Sequence, residues 1–386
     1  MYPNLNYLFK DLFGKDIEFL SYLQSFGFLV AVSFLFANYV MVLEMKRKER
    51  DGVLKPVKVR VTPEEVKKAR VSDLIGAIVV GFFLGYKLLP LFISGTGGLS
   101  LQEYLFSTEG SGLYGLLLAA ASGGYRYYRQ RKEVLPTEVE ERLVHPYEIM
   151  GNLTVAAALS GLIGAKIFHN LENWQEFIQD PVGNLIAFSG LTFYGGLLFG
   201  AATVLYLASK KKIHWRHMLD IGAPAMMLAY GIGRLGCQIS GDGDWGIVNT
   251  APKPGWLGWA PDWLWSYRYP NNVLKEGVPI EGCMGEYCYQ LEHGVFPTPL
   301  YETFVCVLLF FVLWKLRTRI KVPGVLFGIY MIMNGVERFM IEKIRVNNKM
   351  DFLGMQLTQA EIISFALVLF GIVGIIYCRK TPIKKA

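Results

Sequence analysis

Nine apolar stretches, each close to the roughly 20 residues a helix needs to cross a bilayer, constrain this chain more than any other feature. They run over about residues 19–43, 73–94, 112–128, 148–169, 189–208, 218–237, 299–316, 323–342 and 359–378, the third being short and glycine-rich. Charged residues make up only 18% of the 386, against roughly 25% in soluble domains, while 52% are hydrophobic and the mean hydropathy is +0.31. The expected fold is an all-α polytopic membrane protein with about nine transmembrane helices. No basic segment or small-residue cleavage site precedes the first stretch, which is therefore expected to be a retained span rather than a signal peptide.

The net charge of +7 is not a nucleic-acid signature, because the basic residues sit in short clusters between the apolar runs. These clusters are 44–70, RYYRQRK (126–132), SKKKIHWRH (209–217), KLRTRIK (315–321) and the tail RKTPIKKA. The alternate connections 94–111 and 170–189 contain no Lys or Arg. Basic loops stay cytoplasmic, so the N-terminus is expected outside and the C-terminus in the cytoplasm.

One membrane domain over 1–386 is expected, with an internal repeat inside it. Residues 73–92 resemble 148–171, and 110–132 resemble 189–212. Lys87 to Tyr114 is 27 positions and Lys166 to Tyr194 is 28. The segment 73–128 thus reads as an extra helical hairpin resembling 148–212. The long outside loop, 241–298, holds five of the eight tryptophans: Trp245, Trp256, Trp259, Trp263 and Trp265. Such a loop suits a membrane–water interface, and a small cap with an aromatic core would read the same way. Cys283 and Cys288 within it either pair as a disulfide, if the loop faces an oxidising compartment, or remain two free thiols.

The chemistry concentrates at 231–246, GIGRLGCQISGDGDWG. Its glycines bare the backbone to close approach, and Arg234 stands where a span ends. An arginine within a span costs roughly 2.5–3.5 kcal/mol, so its default reading is functional; the plainer reading is a snorkelling side chain. On the same topology Tyr194, Tyr301 and Glu302 lie near the outer surface. Arg338, Glu342 and Arg345 join them at i, i+4, i+7, a spacing that stacks them on one helix face. A network of buried ion pairs would satisfy these groups. Two or three arginines against few carboxylates better suit an anionic ligand, since arginine grips phosphate bidentately, and a phospholipid headgroup is the phosphate at that depth. The five histidines show no ligand spacing, so no metal is expected, and no nucleotide-binding loop or other cofactor site is evident.

These residues resemble the prolipoprotein diacylglyceryl transferase family of bacterial inner membranes. Its glycine–arginine–x–glycine–asparagine stretch, running into Asn-Gly-Glu and Trp-Gly, is matched by Gly233, Arg234, Gly236 and Cys237, then Ser240, Gly241 and Asp242, then Trp245 and Gly246. Its His-Gly-Gly is matched by Tyr194, Gly195 and Gly196, and its Pro-Thr-x-Leu-Tyr-Glu by 297–302. Its Arg-Phe-x-x-Glu-x-x-Arg is matched in full by Arg338, Phe339, Glu342 and Arg345. Residues 25–37 are similar to the family's first span and GLIGAKIF to its second, so the likeness covers about 19–43 and 148–378.

The resemblance implies transfer of diacylglycerol from phosphatidylglycerol to the lipobox cysteine of a prolipoprotein signal peptide, with glycerol phosphate leaving. It places the protein in the inner membrane with its active site toward the periplasmic leaflet. Arg234 and Arg338 would hold the phosphate, and Glu302, Asp242 and Glu342 would orient the arginines. Three departures fall on the chemistry. Tyr194 replaces the histidine, and a tyrosine is a poor base at neutral pH unless cations lower its pKa. Cys237 replaces the asparagine, as a packing residue or a catalytic thiol. One extra residue precedes Trp245. A lipid transporter or flippase, a related transferase with another acceptor, and a catalytically silent lipid-binding protein are the competing readings. Transport would call for mid-span charge on the cytoplasmic side, and only Lys87 and Lys166 hint at it.

Overall fold

The structure, a computed structural model, describes residues 1–96, 101–133, 138–187, 190–347, 349–352, 355–381 and 383. Residues 97–100 and 188–189, in the two connections without Lys or Arg, and most of the end of the basic tail lie outside them.

Among the described residues, a long helix occupies each of the nine apolar stretches: α1 Ser25–Arg50, α2 Pro63–Phe83, α3 Gly112–Lys132, α4 Met150–Glu172, α5 Phe193–Lys210, α6 Trp215–Ser240, α7 Thr298–Leu316, α8 Val325–Glu342 and α9 Gln359–Lys380. Five helical runs among the described residues are long and apolar enough to cross a membrane: Ser25–Arg50, Pro63–Ser94, Pro146–Glu172, Thr298–Leu316 and Gln359–Lys380. Helix ends depart from the apolar bounds because caps, and not hydropathy, set them. Thr62 forms a capping box with Glu65 around Pro63, so α2 starts in charged sequence ten residues before the apolar run. The same device, Thr358 with Glu361, starts α9.

The fold is not purely helical. Val57–Val61 (β1) pairs antiparallel with Glu140–Val144 (β2), Val278–Pro279 (β3) with Tyr289–Gln290 (β4), and Lys349–Phe352 (β5) with Met355–Thr358 (β6). VKVRV alternates with the period of a strand, a signal the all-α expectation leaves out.

The chain forms two compact units. The first comprises Met1–Lys48, Met150–Val155 and Ala202–Ala386. Its core joins α1, α6, α7 and α8 through Val40, Ala223, Ala225, Met227, Cys306, Phe310, Leu313 and Leu326. At one end of α6, the buried carboxylate of Asp220 accepts from the backbone N–H of Gly324 (2.8 Å) and of Phe327 (3.0 Å), at the start of α8. A carboxylate there satisfies donors that the helix itself leaves open. Glu44 ties α1 to the end of α7 through Arg47 (2.5 Å) and Arg317 (3.3 Å). Residues 241–298 carry their own aromatic core of Trp245, Tyr269 and Val295, while Trp256 and Trp259 are 74% and 81% exposed. Trp245 thus packs in a small core, and Trp256 and Trp259 lie at the surface. Cys283 and Cys288 are disulfide-bonded near β3 and β4.

The second unit comprises Glu49–Ile149 and Ala156–Ala201. Here α2 continues through a π-helical turn, Leu84–Leu88, into a short helix Leu89–Ser94. Pro90 has no N–H to give the Tyr86 carbonyl, which takes the Ser111 N–H instead (3.0 Å). The Lys87 ammonium donates to the carbonyls of Tyr104, Ser107 and Glu109, and that of Lys166 to the carbonyl of Ala187. In each hairpin a glycine two residues before the lysine, Gly85 or Gly164, lies against the backbone of Tyr114–Gly115 or Gly195, where a Cβ would collide.

Candidate active site

Arg234 lies six residues before the end of α6, about 21 Å along the helix from Asp220. Its Nε is 3.1 Å from Oε2 of Glu302, on the second turn of α7, and its Nη1 meets Asp244. Its guanidinium also covers the ring of Tyr230, one turn back, at 5.2 Å. Arg338 on α8 reaches Glu302 Oε1 at 3.2 Å and Glu342 Oε2 at 3.1 Å. Arg345, beyond α8, meets Asp244 and stands 3.6 Å from Glu302 Oε2. The Tyr230 hydroxyl donates to Glu302 Oε1 (3.1 Å) and the Asn347 amide to Glu342 Oε1 (2.6 Å). Glu302 is the hub. Its side chain is fully buried and faces all three arginines.

Local sequence explains why these groups converge. Gly241, with φ +66°, ends α6 in the left-handed conformation glycine adopts freely. The chain then turns so that Gly246 bridges Arg345, Ile247 N–H bonds the Ile344 carbonyl (2.9 Å), and Gly246 N–H bonds that of Phe296 (2.8 Å). A Cβ at Gly246 would sit 2.5 Å from the Ile344 carbonyl oxygen and 2.8 Å from Phe296 Cβ. Thr298 donates to the Asp244 carbonyl (2.8 Å), closing the same corner. This stitching holds Asp244 against two arginines from different elements.

Several expectations change. Asp244, and not Asp242, bridges Arg234 and Arg345; the extra residue before Trp245 shifts the acid's register. The two aspartates titrate in opposite directions. Burial and the neighbouring Asp244 charge push Asp242 above the usual carboxylate range. Burial opposes ionisation of Asp244 too, but Arg234 and Arg345 outweigh it and hold its carboxyl below that range. Nor is there a bare excess of arginine. Arg234, Arg338 and Arg345 are matched by Asp244, Glu302 and Glu342, with Asp244 in the place expected for Asp242.

The glycines mostly serve packing. A Cβ at Gly236 would meet Phe26 and Leu29 of α1, whereas Gly233 has open space. Ser240 donates to the Gly236 carbonyl within its own helix (2.9 Å). The Tyr301 hydroxyl anchors the loop by donating to the Leu264 carbonyl (2.7 Å). Cys237 is buried, with its sulfur 3.9 Å from Arg234 Nη1. That sulfur and the carboxylates of Asp242 and Asp244 lie within 4.8 Å of one another. Two guanidiniums already hold Asp244, so the trio surrounds positive charge from the protein itself, which disfavours a metal cation there.

Tyr194, Gly195 and Gly196 belong to the second unit, at the start of α5. Tyr194 is 39% exposed, with its ring edge-on to Phe193 at 5.8 Å. Gly195 and Gly196 lie against the carbonyls of Gly164 and Gly161, letting α4 and α5 approach closely. Glu337, beside Arg338 in sequence, was not foreseen. It is buried, and neither carboxyl oxygen has a partner among the described residues. A charged residue inside a span was the available signal.

The family model described as prolipoprotein diacylglyceryl transferase matches residues 112–377, a range that takes in α3 and stops short of residues 25–37. Curated proteins named phosphatidylglycerol–prolipoprotein diacylglyceryl transferase are similar over more than half the chain. That of Leptospira interrogans is 29% identical, over 55% of this chain and 67% of its own length. That of Chlorobaculum tepidum is 30% identical, over 59% and 72%, and that of Staphylococcus haemolyticus 28% identical, over 58% and 71%.

Proposed function

The chain belongs to the prolipoprotein diacylglyceryl transferase family, and on that premise we propose that it transfers the diacylglyceryl group of phosphatidylglycerol to a cysteine thiol of a secreted prolipoprotein. The acceptor is the lipobox cysteine at the end of the signal peptide, and glycerol phosphate is released. The observation that carries this reading is the buried Glu302 carboxylate holding arginines from three separate segments in one place. Each guanidinium has five N–H donors, so ion pairing to carboxylates leaves donors for a phosphate.

Arg234 and Arg338, with side chains 16% and 21% exposed, are the phosphate ligands, whereas Arg345 at 7% holds the loop. The thiolate attacks the glyceryl carbon bonded to the phosphate oxygen, the carbon–oxygen bond breaks, and its electrons pass to the leaving phosphate. Positioned guanidiniums stabilise that growing charge without reorganising, which for a single such donor is worth about 10²–10³ in rate. Glu302, Glu342 and Asp244 keep the arginines aligned. All nine long helices span the membrane, with the N-terminus outside, the C-terminus in the cytoplasm, and the arginine cluster toward the periplasmic leaflet of the inner membrane. Basic clusters at one set of helix ends support this orientation.

The test places the purified protein in phosphatidylglycerol vesicles with a lipobox peptide and follows peptide mass together with glycerol phosphate. A diacylglyceryl mass gain matched by glycerol phosphate, and lost in Arg234→Ala, is expected. Bound lipid with no mass gain on any thiol peptide would overturn the reading in favour of a lipid-binding protein. Tyr194→Phe reports in the same assay whether the phenol acts.

A further inference from the structure

Glu337 lies on α8 beside a cavity of about 500 Å³ between α7 and α8. Apart from Glu302 and Glu337 its lining is apolar, including Val305, Leu309, Met333 and Met340. The side chain is buried, and both carboxyl oxygens are without a hydrogen bond or ion pair among the described residues. A buried carboxyl is normally bonded or ion-paired. Glu302 is engaged by three arginines, Asp244 by two, and Glu342 by Arg338 and Asn347. Asp242, whose Oδ1 also has no hydrogen bond among the described residues, lies beside the Cys237 sulfur and does not line this cavity. A carboxylate clamped by guanidiniums is a poor proton acceptor, because taking a proton breaks its ion pairs.

The proposed reaction needs an acceptor. A thiol attacks as thiolate, and the position that the resemblance gives to histidine holds Tyr194. We infer that Glu337 is the general base of this chain, taking the proton from the incoming cysteine thiol as it attacks. The thiol S–H bond breaks with its proton passing to a Glu337 oxygen. The sulfur pair forms the bond to the glyceryl carbon, and the carbon–oxygen pair leaves with the phosphate. The proton then passes to the released glycerol phosphate or to water, so no other reagent is required. The titratable and charged groups facing Glu337 are Tyr230 and Arg234 of α6, Glu302 and Cys306 of α7, Arg338 of its own helix, and Arg345. This inference rests on the transferase reading above.

Glu337→Gln keeps the shape and removes the base. In full-length protein reconstituted with phosphatidylglycerol and a lipobox peptide, its single-turnover rate at pH 7 should fall about 10²–10⁴-fold, the usual worth of a general base. Phosphatidylglycerol affinity should stay within about twofold, since the arginines are untouched. A selenocysteine acceptor peptide, whose selenol is already ionised at pH 7, needs no base, so the variant's deficit should shrink at least about tenfold with it. Glu337→Asp, a shorter carboxyl, should retain part of the rate with the cysteine peptide. A Glu337→Gln rate close to wild type, or a deficit as large with the ionised acceptor, would overturn the inference. So would the same acceptor dependence in Asp242→Asn in place of Glu337→Gln. Wild type that transfers nothing fails the function reading itself, and is told apart because no variant is needed to see it. Loss of folding in Glu337→Gln contradicts the inference too, since an unpartnered carboxyl contributes nothing that the amide removes.

Discussion

Glu302 sits among three guanidiniums with no exposed side-chain surface, so the cluster is built as an interlocked unit. Removing one member of a buried pair strands the other, at about 3–5 kcal/mol. Arg234→Ala should therefore lose transfer activity and also melt earlier, and thermal unfolding in detergent would separate the two effects. Arg234→Lys keeps the charge without the bidentate fork; it should fold normally and still lose at least about tenfold in transfer. The aspartates before Trp245 should respond with opposite sign. Asp244 has a depressed folded-state pKa, so its contribution is fully present above the unfolded carboxylate range and is lost as pH falls through that lowered value. Asp244→Asn should cost about 1–3 kcal/mol at neutral pH. Asp242 has a raised pKa, so ionising it works against folding at neutral pH, and Asp242→Asn should leave the melting temperature unchanged or raise it. A lower melting temperature for Asp242→Asn at pH 7 would contradict that assignment.

Helix α6 is tied at both ends, and its two ties do different jobs. Asp220 secures the start of α8, and Arg216 bonds the Thr381 carbonyl (2.5 Å) and hydroxyl (2.8 Å) after α9. A rigid inner clamp sets the register of α8 against α6, and hence brings Arg338 level with Arg234. Asp220→Asn replaces one carboxylate acceptor of a two-donor cap and should cost about 1–3 kcal/mol. Phosphatidylglycerol affinity should fall with it, as Arg338 loses alignment. Affinity unchanged in a destabilised variant would show that the register is set elsewhere. At the other end, Gly246→Ala drives a Cβ into the Ile344 carbonyl. It should displace Arg345 and cost about 1–3 kcal/mol.

Over the whole molecule, the exposed Trp256 and Trp259 and the disulfide-bonded hairpin belong to the one long segment between helices, 241–298. Exposed tryptophans flank a bilayer surface well. Deleting 250–290 should weaken binding of the lipobox peptide while leaving phosphatidylglycerol binding in place; unchanged peptide affinity would remove that segment from acceptor docking. Thiol labelling tests the orientation. After reduction, Cys283 and Cys288 should react with a membrane-impermeant reagent from the periplasmic side, and labelling only from the cytoplasmic side would invert the topology.

The apolar runs, their basic flanks and the arginine motifs were legible in sequence because each is local: hydropathy, cap and spacing act within a turn or two. Thr62–Glu65 and Thr358–Glu361 announce helix starts in the same way, and VKVRV carries its strand period openly. The Arg-Phe-x-x-Glu-x-x-Arg run likewise places Arg338 and Glu342 on one face before any fold is known. Which aspartate meets Arg234 and Arg345 was not legible. Asp242 and Asp244 differ by two positions in a glycine-rich turn, and only the pairing of Gly246 with Arg345 brings Asp244 between two guanidiniums. Charge balance followed the same path, since a count along the chain cannot tell which acids face the cluster. Glu337 shows the division most sharply: sequence marks it as a charge in a span, but its having no partner among the described residues depends on where Arg234, Arg338 and Arg345 have gone, and that is decided by packing in three dimensions.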